Sequence, residues 1–380
     1  MDNLAVELLT LISFSACTDG GRTGCSLALV SKRINYASRP ARFYSVSLIN
    51  SATQIEQFLA CYQAERARAK DMIPRVRHLC VSLFGKGIDS TAASSAVQAP
   101  PPKSRAEFLA WSQRRAQNWR SAQDNMDEQF NRVIPALMRA VSPDLRSLAL
   151  MQAQWRSAMV VRCTFPCLEE LTLVGGDPSF LPFDFLPSDR PVYPALKRLH
   201  QIFSLVNKDV DFLKWAQHAP NLTHLRVSRL DHHPRVSVDS LEHVMGHRCP
   251  PDVFPHLRQV VIQPVPPPPA ATDAPHQLAY RDFNAHLRKS ADKARVDVLL
   301  LPPMDVPKPA PGADPSRGCI LKLQGAWRDR IEGGDGVWVK AIGGCGEPGG
   351  AHAKEASVAP PRTTTPLSVS RWTNVGHSVL

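Results

Sequence analysis

Along the middle of the chain, apolar and polar positions repeat in one short figure six times: proline, any residue, Leu or Val, two residues, Leu or Val, one residue, an apolar residue. The copies are Pro74-Arg-Val76-Arg-His-Leu79-Cys-Val81, Pro143-Asp-Leu145-Arg-Ser-Leu148-Ala-Leu150, Pro166-Cys-Leu168-Glu-Glu-Leu171-Thr-Leu173, Pro194-Ala-Leu196-Lys-Arg-Leu199, Pro220-Asn-Leu222-Thr-His-Leu225-Arg-Val227 and Pro255-His-Leu257-Arg-Gln-Val260-Val-Ile262. The fourth is imperfect: its next apolar residue is Ile202, one place late. A seventh run, Val296-Asp-Val298-Leu-Leu-Leu301, lacks the proline. The closing apolar-x-apolar step has a period of two, which sends both side chains to one face of a β-strand. Proline fixes φ and holds the residue before it extended, which suits the entrance of a strand. The first Leu or Val of each copy precedes the strand and is expected to pack beneath it.

Between the copies the period changes to that of a helix. Asp209–His218 carries Val210, Leu213 and Ala216 or Trp215 on one side, Asp239-Ser-Leu-Glu242 reads as a capping box opening a helix to about His247, and His276–Arg295 places Leu278, Phe283 and Leu287 near helical spacing. The long gap after the first copy holds an insertion, 84–141, with a Ser/Ala/Pro stretch expected to be disordered (Asp89–Pro102) and then a capping box, Ser104-Arg-Ala-Glu107. Phe108, Trp111, Trp119, Met126, Phe130 and Val133 follow as an aromatic stripe expected to be core, and Pro135 is expected to end or kink the helix.

The repeat resembles the leucine-rich repeat, whose strand reads L-x-x-L-x-L, although the Asn or Cys that usually follows the strand is missing and the repeat lengths are irregular. The resemblance implies a solenoid over 49–301 with a parallel sheet on its inner face. In that register His78, Cys80, Ser147, Ala149, Glu170, Thr172, Arg198, His200, His224, Arg226, Gln259 and Val261 share one face. Its Arg and His members, His78, Arg198, His200, His224 and Arg226, are the candidate target-binding residues, suited to an acidic or phosphorylated partner, with Arg198 and Arg226 as anion contacts.

Ahead of the repeats, residues 1–48 read as two or three short helices: Leu4-Ala-Val-Glu7-Leu8-Leu9-Thr-Leu-Ile12 with Leu8, Leu9 and Ile12 on one face, a polar loop Thr18–Gly24, a second amphipathic run Leu27–Ala37, and a segment Ser38–Leu48 that ends in an alternating, strand-like stretch. So small a segment cannot bury a core alone. It resembles an F-box of the kind that precedes irregular leucine-rich repeats in fungal proteins. The matching residues are Leu4, Glu7, Leu8, Leu9 and Ile12, then Leu27, Leu29, Val30, Ser31 and Ile34, and an exit at Arg39-Pro40 and Phe43-Tyr44, with Ala5 where the family usually has proline. The resemblance implies a substrate receptor of an SCF-type cullin-RING ubiquitin ligase, bound to a Skp-family adaptor and through it to cullin. Leu4, Leu8, Leu9, Ile12, Leu29 and Val30 are the adaptor-binding candidates. Such a chain acts by proximity and performs no chemistry itself. The alternatives are a leucine-rich-repeat scaffold without a ligase role, in which 1–48 is a helical cap on the first repeat, and a basic nucleic-acid binder.

Composition adjusts this picture. Proline is high, 34 of 380 residues or about 9%, against an average near ~5%; beyond the repeats it gathers at 100–102, at 266–269 and in 302–380, where ten prolines and twelve glycines read as a low-complexity tail with an ordered island at 320–342 around Trp327 and Trp338. That island is expected to close over the last repeat. A net charge of +11 favours acidic partners, but no Lys/Arg block or interleaved aromatic–basic stripe points to nucleic acid. Nine scattered cysteines fit buried free thiols in a reducing compartment, and no run is long enough to span a membrane, so a cytoplasmic or nuclear protein is expected. Gly20-Gly-Arg-Thr-Gly24 lacks phosphate-loop spacing, Cys163/Cys167 and His243/His247/Cys249 are incomplete as metal sets, Asp231-His-His233 is taken as chance, and no catalytic fingerprint occurs. No enzyme activity, metal or cofactor is expected.

Overall fold

The computed structural model describes residues 4–69, 72–83, 104–151, 163–175, 190–203, 209–232, 235–246, 253–269, 272, 274–304 and 315–338. Three short helices, α1 (Val6–Ala16), α2 (Arg22–Leu27) and α3 (Lys32–Ser38), lead into one α/β sheet. Its eight strands are β1 (Ser45–Leu48), β2 (His78–Ser82), β3 (Ser147–Met151), β4 (Glu170–Val174), β5 (Arg198–Ile202), β6 (His224–Leu230), β7 (Gln259–Pro264) and β8 (Asp297–Leu300). They lie side by side in chain order, and every neighbouring pair is parallel.

Parallel neighbours need a crossover. Among the described residues these contain α4 (Ala52–Arg68) after β1, α5 (Arg105–Val141) after β2, α6 (Phe212–His218) after β5, α7 (Arg235–Met245) after β6 and α8 (Ala274–Asp292) after β7. A last helix, α9 (Pro315–Ile331), follows β8.

The register explains the repeated figure. The first apolar positions of the strands stack into a row, Val46–Leu79–Leu148–Leu171–Leu199–Leu225–Val260–Val298, and the second into Leu48–Val81–Leu150–Leu173–Gln201–Val227–Ile262–Leu300. Both rows belong to the main core, which they share with Ile55 and Tyr62 of α4, Phe130 and Leu137 of α5, Trp215 of α6, Leu241 of α7 and Leu287 of α8, except that Gln201 replaces a leucine. The late Ile202 of the fourth copy therefore does not shift the strand. It points to the opposite face, and Gln201 takes the inward position with no solvent exposure.

Each of the six prolines sits four residues ahead of its strand, so it opens a turn and not the strand itself. In four copies the turn closes with a backbone bond from the first leucine to the residue before the proline: Leu168 to Phe165, Leu196 to Tyr193, Leu222 to Ala219, Leu257 to Phe254. That puts proline at the second turn position, where its fixed φ is favoured. The first Leu or Val of every copy is buried, as expected. Just before each strand, one carbonyl accepts two N–H groups from the next unit. Arg77 takes those of Arg146 and Ser147, Arg146 those of Glu169 and Glu170, Glu169 those of Lys197 and Arg198, and Lys197 those of Thr223 and His224.

Several helix expectations change. α7 begins at Arg235, so the Asp239 capping box does not form: the apolar run Val238, Leu241, Val244 and Met245 continues the helix through it, and Ser240 instead bonds the Val210 carbonyl. α5 runs through Pro135, because Leu137, Met138 and Val141 beyond it are buried in the core, as is Ile134 before it. Its Ser104 cap forms, accepting from the Glu107 N–H at 3.1 Å. The aromatic stripe divides, with Phe130 and Val133 in the core while Phe108 and Trp111 are exposed; the Trp119 side chain lies outside the described residues. Leu278 of α8 is exposed as well. The stretches Asp89–Pro102 and 343–380 lie outside the described residues.

Candidate functional site

The expected adaptor residues sit on α1 and around the start of α3. The run Leu27–Ala37 breaks at Leu29-Val30, after which Ser31 caps α3 by accepting from the Ile34 N–H at 3.2 Å. Thr10 Oγ1 donates to the Ala37 carbonyl at 3.0 Å, and Arg33 donates to the Leu4 carbonyl, so the starts of α1 and α3 lie at the same end. Leu29 and Val30 are thereby placed beside Leu4 and the first turns of α1. On α1, Leu9 and Ser13 turn inward one helical turn apart, while Leu8, Leu11 and Ile12 face out. Leu9 is only 8% exposed and is part of the module's own packing, which corrects its assignment to a docking face. Leu4 is half-buried. Leu8, Ile12, Leu29 and Val30 are exposed, Leu29 by 82%, and Leu11 and Tyr36 join them unforeseen. Their signal was present, since Leu11 follows Leu8 by three residues on the same helical face.

The module is fixed to the sheet through the glycine loop. Gly20 (φ 82°) and Gly21 (φ 103°) take left-handed backbone, the Gly20 carbonyl accepts the Ser47 N–H at 3.2 Å, and Ser45 Oγ bonds the Cys17 carbonyl at 2.7 Å. A Cβ on Gly20 would lie 2.8 Å from that of Ser47. Close approach to β1 accounts for the glycine without a phosphate. Behind it, Glu65 of α4 binds Arg39 at 2.6 Å and Arg42 at 3.3 Å. Burial opposes the charge on Glu65, but the hydrogen bond from Arg39 and the charges of Arg42, Arg39 and Arg68 prevail and hold its carboxyl below the usual range.

The twelve sheet residues expected on one face do form two adjacent rows on the side away from the main core. That face is not open. A second apolar cluster covers part of it, in which Cys319, Leu323 and Trp327 of α9 meet Cys80, Ala149, Met151, Val174 and Ile202. α9 thus crosses β2 and β3 and does not close over the last strand as expected of the island. Arg330 Nε from the last turn of α9 and Trp338 Nε1 beyond it both donate to Glu170, each at 3.0 Å, and Trp338 meets the His200 and His224 rings edge-on at 6.2 Å.

The candidate target contacts are consequently employed inside the protein. His200 is 1% exposed and pairs with Ser228 Oγ at 2.9 Å. Arg226, 7% exposed, donates to Ser228 Oγ, to Gln263 Oε1 at 2.9 Å and to the Val337 carbonyl. Arg198 faces Glu170 at 3.6 Å, and His78 Nδ1 pairs with Ser147 Oγ at 2.8 Å. As placed, His200 and Arg226 are enclosed: Arg226 is held by its hydrogen bonds, and His200 is bonded through one ring nitrogen while Nδ1 is buried without a partner among the described residues. His224 is half-buried beside Trp338. Burial, followed by the charges of Arg146 and Arg77, pushes His78 down to about 4. Burial and Arg226 lower His200, burial with Arg198 and Arg258 lowers His224, and burial brings Arg226 down to about 10. The space left under α9, about 20 Å³ between Ala149, Thr172, Leu323 and Trp327, holds a single water at most.

Among the described residues no three His, Cys, Asp or Glu side chains gather to hold a metal, and no helix is long and apolar enough to cross a membrane. His247 and Cys249 lie outside the described residues. Comparison with protein-family models, with curated proteins and with solved structures finds no match to this chain.

Proposed function

We propose that this chain is the substrate-recognition subunit of an SCF-type cullin-RING ubiquitin ligase, docking a Skp-family adaptor through its N-terminal helices and a target protein through its repeat solenoid. The observation that carries the reading is the apolar surface at the start of the chain: Leu8, Leu11 and Ile12 on α1 and Leu29 and Val30 in the turn before α3 are each about half exposed or more, while the packing of the helices themselves is already served by Leu9, Ser13 and Ala37. Exposed leucines in such a cluster mark a protein-interaction site. Four of the five fall on the F-box-like pattern. Strands in chain order, all parallel and backed by a leucine row, are also the arrangement a leucine-rich-repeat solenoid requires. In this reading the adaptor covers the module's apolar face, and the ligase gains activity by holding a target lysine near the charged conjugating enzyme.

The test is co-purification of the full chain with a Skp-family adaptor. The wild type is expected to retain it. Leu8→Asp with Ile12→Asp is expected to lose it while keeping the thermal midpoint, since both side chains are exposed. Failure of the wild type to bind, or retention by a folded double variant, would overturn the reading in favour of a repeat scaffold without a ligase role.

A further inference from the structure

With α9 covering part of the sheet face and the candidate contacts there engaged inside the protein, a receptor needs another surface for its target, and the leading ends of the strands supply one. The residue just before each strand is repeated in space by the paired backbone bonds described above. From β2 to β7 these positions are Arg77, Arg146, Glu169, Lys197, Thr223 and Arg258. Four are basic. The single acid, Glu169, is already paired with Lys197 at 3.1 Å. Arg77 is steadied by the Asp144 carbonyl at 3.0 Å and lies 3.8 Å from the Asp144 carboxylate, which Arg75 also faces at 3.5 Å. Arg146 and Arg258 are exposed and have no ion pair among the described residues. Arg77, Arg146, Lys197 and Asn221 border an open groove of about 350 Å³ beside the Pro166 turn, which Glu169 also lines.

A second observation agrees on the sign of the field. The neutral state of His78 is favoured by burial and then by Arg146 and Arg77, and that of His224 by burial and then by Arg198 and Arg258. Arginine charge is thus felt at the β2 and β6 entrances, opposed at His78 by Glu169.

We infer that this basic edge is a binding site for an extended, anionic segment of a target chain, gripped in the groove by Arg77, Arg146 and Lys197 and continued by Arg258. The inference rests on the receptor reading for its biological meaning, but binding itself is measured separately. Strands lie ~4.8 Å apart, so β2 to β7 spans roughly 24 Å, which an extended peptide covers with about seven residues at ~3.4 Å each. Guanidinium groups accept carboxylate and phosphate alike. Both sources therefore fit.

The experiment uses fluorescence anisotropy with the full chain and three labelled seven-residue peptides: all glutamate, glutamate with a central phosphoserine, and all glutamine. The two acidic peptides are expected to bind and the glutamine peptide not. Tighter binding of the phosphoserine peptide assigns the site to phosphate, and equal binding assigns it to carboxylates. Arg146→Glu is expected to weaken acidic binding at least tenfold, while Arg120→Glu, on the exposed part of α5, changes it less than twofold. Equal losses from the two variants, no binding of either acidic peptide, or tighter binding of a seven-nucleotide single-stranded RNA would overturn the inference. Arg146→Glu must still capture the adaptor, and Leu8→Asp with Ile12→Asp must still bind peptide, so the two readings fail separately.

Discussion

Gln201 occupies a place where its neighbours in the row, Leu173 and Val227, are aliphatic. It is fully buried, and neither atom of its amide has a hydrogen-bond partner among the described residues. A buried amide left unpaired costs roughly 1–3 kcal/mol. Gln201→Leu is therefore expected to raise stability by about that amount, measured as a higher urea midpoint with an unchanged slope; a lower midpoint would show that the amide has a role the packing hides. The buried histidines set the pH response. The folded pKa of His78 is about 4, below the ordinary value of 6.5, and that of His200 is lowered as well. As pH falls through 6.5 the unfolded chain takes up protons that the folded chain refuses, so the stability these residues contribute is complete above pH 6.5 and is lost between there and about 4. Glu65 acts lower: its carboxyl is held below 4.5 in the folded state, so its contribution persists above 4.5 and disappears only as the folded carboxyl protonates. The urea midpoint should fall from pH 7 to pH 5, and His78→Gln should reduce that fall. These effects were only partly legible. The late Ile202 marked the fourth copy as irregular, but the depression of His78 depends first on burial and then on Arg146 and Arg77, and Arg146 reaches it only through the register.

At the level of elements, α5 is two helices in one. Every side chain described between Ser104 and Asn125 is exposed, whereas Phe130, Ile134, Leu137 and Met138 are fully buried. Trp111→Ala should change stability by no more than ~0.5 kcal/mol, while Leu137→Ala should cost about 2–5 kcal/mol through the cavity it leaves. Calorimetry on the two variants would show the contrast, and similar losses would mean that the outer half has a packing partner. The Ser104 helix start was legible, capped as residues of that type do, whereas Ser31, read as the middle of one amphipathic run, turns out to cap its helix. Asp239-Ser-Leu-Glu242 misled because a capping box and the middle of an amphipathic helix can share the same letters, and burial of Val238 and Leu241 outweighs a cap worth about 1 kcal/mol. Pro135 does not end the helix for the same reason, its local penalty being offset by the apolar side chains that follow it.

For the whole molecule, the strands and their inward rows could be read from the proline–leucine figure, but the closing of the opposite face could not. The tail is rich in proline and glycine, and two of the outward rows are polar enough to pass for a solvated surface. The informative residues were in a third row, Met151, Val174 and Ile202, which with Cys80 and Ala149 form an apolar strip that water would not cover cheaply. Cys80 provides a direct test of the cover. It is fully buried, and burial pushes its thiol up to about 12, so almost no thiolate is present at neutral pH and none is accessible. Leu323→Asp with Trp327→Asp places charge at the α9–sheet contact and should lift the helix away while leaving the main core, to which neither residue belongs. Cys80 should then approach the ordinary thiol value near ~8.5 and react with an alkylating reagent. In the wild type, exposed Cys61 should react and Cys80 should not; in the variant both should, with Cys17, buried under the N-terminal helices, still protected. An unreactive Cys80 in the variant would mean that more than α9 covers the face, whereas simultaneous loss of Cys17 protection would mean that the helix holds the whole fold together.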